Sequence, residues 1–112
     1  MIRFDQKIVE SVGWAGPLLW VCTVDGYTIH FYDGRIELDG AEIMPGEDRP
    51  QALVGREIAS VAAGPGSFSV TFRPDATLRV LRADVQTARF FKRGDLQSHW
   101  IYKDGTVLKD TY

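Results

Sequence analysis

Strict two-residue alternation punctuated by Asp-Gly and Gly-Pro-Gly turns constrains this chain more than any other feature. In residues 27–32, Tyr27, Ile29 and Phe31 fall on one side and Thr28, His30 and Tyr32 on the other, as the side-chain period of a strand demands. Residues 67–72 repeat the pattern, with Phe68, Val70 and Phe72 opposed to Ser67, Ser69 and Thr71. Between such segments stand Asp25-Gly26, Asp33-Gly34, Gly64-Pro65-Gly66, Arg73-Pro74-Asp75 and Asp104-Gly105. Asp-Gly pairs favour tight hairpins because those turns need positive φ, which Gly adopts freely and Asp tolerates.

The pattern predicts strands near 18–24, 27–32, 35–39, 57–63, 67–73, 77–83, 97–103 and 106–110. The inward set is Leu19, Val21, Ile29, Phe31, Ile36, Leu38, Ile58, Val61, Phe68, Val70, Phe72, Leu78 and Val80. An internal repeat aligns residues 21–38 with 61–80, matching Phe31 to Phe72, Ile36 to Leu78 and Leu38 to Val80. Two copies are too few for a solenoid, which needs about three. The expectation is one domain over residues 1–112. It comprises a β-meander at 17–39, a loop at 40–55, a second meander at 56–83 and a C-terminal hairpin at 97–111. The fold class is mainly β, or α+β with one or two short helices. The architecture is an antiparallel sheet, a sandwich or a partly open barrel. Residues 2–12 and 84–93 fit helix or strand equally well. Within the loop, a short turn of helix is expected near Gln51 to Leu53.

Catalytic chemistry finds little footing. His30, His99 and a single Cys22 offer no close metal-ligand spacing, and Gly64-Pro65-Gly66 lacks the Lys-Ser/Thr ending of a phosphate loop and precedes a strand. Glu47 and Asp48 sit in a Pro/Gly-rich loop where nothing desolvates either carboxyl to tune it for acid–base work. The reading is a non-enzyme with no cofactor and no metal. One cysteine forbids an internal disulfide, and acids at Asp5 and Glu10 interrupt any apolar leader. The longest apolar run, residues 17–22, falls far short of the roughly 20 residues of a spanning helix. A cytoplasmic location without membrane contact is expected.

Charge is segregated. Residues 25–48 carry seven acids against Arg35 alone, a local net charge of −6 in a chain of net charge −2. The acidic stretch reads either as a solvated loop or as a surface for a basic partner. The second reading picks out Asp33, Glu37, Asp39, Glu42, Glu47 and Asp48. Reversing Glu37, Asp39 and Glu47 to Lys is then expected to slow association without changing the melting temperature. In residues 88–93, Arg89, Lys92 and Arg93 flank Phe90 and Phe91, a mixture able to stack and neutralise single-stranded nucleic acid. Nucleic acid is nevertheless the weaker partner class, because adjacent phenylalanines usually enter the core and the pI is about 5.6, against values above about 9 for nucleic-acid binders.

Residues 53–80 resemble a pattern in small bacterial β-rich families of unknown function that are associated with polymorphic toxin systems. Leu53, Gly55 and Ile58 match its opening and Phe72 and Leu78 its close, while Ala76 replaces the expected Gly. The likeness covers about residues 17–83. It implies an immunity protein that neutralises a cognate toxin by covering its active or substrate-binding surface. The alternative is a small-ligand or regulatory binding module, with homodimerisation through an open sheet edge.

Overall fold

The computed structural model describes residues 6–31, 35–64, 67–74, 76–81, 86–92, 97–102 and 107–111. Two antiparallel sheets hold almost all of them. The six-stranded sheet runs β1 (Val9–Ala15), β2 (Leu18–Thr23), β3 (Tyr27–Phe31), β9 (Gln86–Lys92), β10 (Gln97–Tyr102), β11 (Val107–Thr111). The five-stranded sheet runs β5 (Ala41–Glu42), β4 (Arg35–Leu38), β8 (Ala76–Leu81), β7 (Ser67–Arg73), β6 (Glu57–Gly64). The one helical turn among the described residues is a 3-10 helix, Arg49–Leu53, with Pro50 in its first turn, where a missing N–H costs nothing. It includes the Gln51 to Leu53 segment expected to be helical.

Eight strands lie where the alternation puts them; the expected ends at 32, 82–83, 103 and 106 fall outside the described residues. Of the ambiguous segments, residues 9–12 lie in β1 and residues 86–92 form β9. Periodicity alone did not decide them, because burial on one side suits either period when apolar residues are sparse.

Inward-facing side chains of both sheets form a single core. Leu19, Val21, Ile29 and Phe31 from one sheet meet Ile36, Phe68, Val70 and Leu78 from the other, each at most 5% exposed. Leu38 and Val61, also expected inside, are partly buried against this core. Val9, Val12, Ile43, Leu53, Ile58, Phe72, Ala76 and Val80 complete it.

The first meander is corrected. After Phe31 the chain leaves the six-stranded sheet, and β4 pairs with β8 in the other. Residues 17–39 are therefore a hairpin plus a strand exported to the opposite layer, whereas β6, β7 and β8 do form a meander. The repeat survives in another guise. Its third strands pair with each other, Ile36 opposite Val80 and Leu38 opposite Leu78, so the aligned positions meet two-fold across one ladder.

One seam is stitched by backbone. Gln6 N donates to Ile58 O and Ile58 N to Lys7 O, both at 2.8 Å. The 3-10 helix and its flanks cover the outer edge of β1. Gln51 Nε2 donates to Val12 O at 2.7 Å, Gly55 N to Val9 O at 2.8 Å, and Trp14 Nε1 to Glu47 O at 3.0 Å. Edge strands left bare invite pairing with other chains, and this one is capped by its own loop. Among the described residues no helix is long and apolar enough to cross a membrane.

Candidate functional site

The acidic residues gather at one edge of the five-stranded sheet. Strands β4 and β5 form a hairpin whose turn is Asp39-Gly40, both residues with positive φ (52° and 82°). Asp is among the few residues that tolerate this region, and its carboxylate is put to use. Asp39 Oδ1 accepts from Thr77 N and Asp39 N donates to Thr77 O, each at 2.9 Å, tying the hairpin to β8.

Glu37 and Glu42 are directly opposite across β4 and β5, an arrangement of like charges that destabilises a sheet unless compensated. Arg35 compensates, its Nε lying 3.1 Å from Glu37 and 3.7 Å from Glu42. On the other side of Glu37 stands Arg79 of β8. Glu37, Asp39, Gly40, Thr77 and Arg79 line an open depression of about 390 Å³.

Glu47 lies in the following loop. Its carboxylate accepts from Arg49 Nη2 at 2.5 Å and from Nε at 3.0 Å, and also receives the Met44 amide. Arg49, then the amide, hold the Glu47 carboxyl below the usual range. Arg49 also donates to Glu42 O at 3.2 Å, so the loop is fastened to the hairpin. Asp48 is exposed and its side chain makes no capping bond. Met44, 58% exposed, sits between Glu42 and Glu47 in the chain.

The structure thus brings Glu37, Asp39, Glu42, Glu47 and Asp48 onto one hairpin and its adjoining loop; Asp33 lies outside the described residues. Counting to residue 48 missed Arg49, the next residue. With it, residues 35–49 carry five acids against two arginines, a net charge of −3. Asp25, also in the acidic count, belongs elsewhere. It meets Lys7 at 2.5 Å and accepts from the buried Thr23 hydroxyl in the β2–β3 turn. Partial burial pushes its carboxyl up, but the Lys7 and Thr23 hydrogen bonds and the Lys7 charge outweigh that and leave it lowered.

Among the described residues no group of three or more His, Cys, Asp and Glu side chains could hold a metal. Cys22 Sγ lies 3.5 Å from the Thr28 hydroxyl on the outer face of the six-stranded sheet. Comparison with family models, with curated proteins and with solved structures returned no match.

Proposed function

We propose that this chain is a non-catalytic protein-binding domain that takes a basic partner on the β4–β5 hairpin and the loop after it. The observation that supports this reading is the exposed Met44 set among Glu42, Glu47 and Asp48. An apolar anchor with a charged rim matches the anatomy of protein interfaces, in which Met is enriched at the centre and polar groups surround it. The acids that Arg35 and Arg49 orient form a rigid rather than a floppy negative surface. That lowers the entropy lost on binding and lets charge steer the encounter. By the resemblance of residues 17–83, the partner is a toxin domain with a basic cleft, and the domain acts as its immunity protein by occluding that cleft.

The test is co-expression with the product of the neighbouring gene, followed by co-purification and growth. A complex that protects the host, and that Met44→Asp disrupts, supports the reading. A neighbour harmless on its own, or a complex indifferent to Met44→Asp and to reversal of Glu42 and Asp48, overturns it.

A further inference from the structure

The acidic hairpin leaves the outer face of the six-stranded sheet unused, and that face carries a cluster of aromatic side chains with a guanidinium beside them. Cross-strand register sets Gly13, Trp20, His30 and Arg89 side by side on β1, β2, β3 and β9. The neighbouring row holds Ser11, Cys22, Thr28 and Phe91. Trp20 lies against Gly13, where an added Cβ would fall 2.4–3.0 Å from three indole ring atoms. The His30 ring meets Phe91 edge-on at 4.9 Å, and the Arg89 guanidinium sits 4.8 Å from the Phe91 ring centre. Trp20, His30, Arg89 and Phe91 are all half-buried, whereas exposed Lys92, next along β9, is in register with Tyr27 on the opposite face, its Nζ 5.5 Å from that ring centre.

The adjacent phenylalanines of residues 90–91 are thereby separated. Phe91 pairs in register with Thr28 on the outer face, while Phe90 is in register with the buried Ile29. The reason for discounting this motif, that both rings would enter the core, fails for Phe91. The whole-chain acidity is a poor guide as well, since residues 35–48 lie on the other sheet; in the strand register the acid on this row is Asp110 of β11, two strands from Phe91 across Ser98.

We infer that this face is a stacking platform for two or three nucleotides of single-stranded nucleic acid. Sheets that bind bases carry aromatics on their central strands, over which unpaired bases splay and stack, and β3 and β9 are the central pair here. Every base has a π-face, so Trp20 and Phe91 are sequence-tolerant partners, and Arg89 adds charge and a second planar surface. With Arg89 the cation that this face offers among the described residues, binding depends on stacking more than on phosphate neutralisation.

That balance makes the inference measurable. The full chain is titrated into 5′-labelled U10, dT10 and a duplex of equal length, and anisotropy is read at several salt concentrations. Single strands bind at least tenfold tighter than the duplex. The slope of log K against log salt is about −0.7, the value for one phosphate on a single strand. Phe91→Ala and Arg89→Gln each weaken binding about fivefold or more. Should Phe91→Ala fail to melt cooperatively, Phe91→Leu, which keeps the bulk and loses the π-face, replaces it. Four results overturn the inference: no saturable binding, equal affinity for duplex, a slope much steeper than about −0.7, or wild-type affinity in the folded variants. So does loss of a basic protein partner on Phe91→Ala with oligonucleotide binding untouched, since the face would then be a protein interface.

Discussion

Phe31 of β3 and Phe68 of β7 hold the two sheets together, their ring centres 5.9 Å apart and their planes tilted by 42°. Both are at most 1% exposed. Truncating either to Ala leaves a cavity between layers, for which the usual cost is about 3–5 kcal/mol. Because the two rings line the same space, the double truncation should cost less than the sum of the singles. Urea melts of the four proteins check this; strict additivity would mean that the rings do not share a cavity.

Gly13 is small for a reason that depends on one neighbour. Ala there collides with the Trp20 indole, and overpacking of this kind costs about 1–3 kcal/mol. Gly itself weakens a strand by about 0.5–1 kcal/mol relative to Ala. Gly13→Ala should therefore destabilise the wild type but stabilise a Trp20→Ala protein. Thermal melts of the single and double variants read that reversal of sign directly.

Charge reversal at the hairpin separates binding from stability only at the right positions. Asp39 carries the Thr77 amide in a left-handed conformation. Its replacement by Lys should cost about 0.5–1.5 kcal/mol for the hydrogen bond alone, contrary to the expectation of an unchanged melting temperature. Glu47→Lys should loosen the Met44 and Arg49 contacts. Glu42→Lys with Asp48→Lys leaves those contacts in place. It should slow association with a basic partner by about tenfold and flatten its salt dependence, while the melting temperature stays within a degree or two. Stopped-flow association at two salt concentrations, beside a melt, checks both halves.

His30 gives the protein a pH signature. Burial in the sheet face, with the Arg89 charge beside it, lowers its imidazole pKa below the ordinary 6.5. The unfolded chain therefore binds a proton at higher pH than the folded one. Stability due to His30 is complete above about pH 6.5 and declines as the pH falls from there to the folded value. His30→Gln should remove that component, so the difference in melting temperature between the two proteins should change between pH 7.5 and pH 5. A constant difference would show that His30 does not titrate differently on folding.

Most of the layer structure was legible because alternation reports which side of a strand is wet. All thirteen expected core residues lie in or against the core. Which sheet a strand joins was not legible. β4 has the same local pattern whether it pairs with β3 or with β8; it pairs with β8, a long-range choice that alternation within the strand does not encode. The acids could be found by counting, but their constraints could not. Nothing in the spacing says that Arg35 lies between two glutamates, or that Asp39 caps a strand 38 residues away.

The exported strand has a consequence for how the chain assembles. Every partner of the five-stranded sheet is present once residue 81 has been made, whereas β3 waits for β9, which begins at Gln86. During synthesis the Tyr27–Phe31 edge stays unsatisfied while an entire sheet forms beside it. Pairings between such distant segments pay loop-closure entropy first and are the slow steps of β folding. A chain halted near residue 85 would expose a naked apolar edge, the kind that recruits other chains. The last quarter of the sequence thus supplies the strand that closes the edge of β3.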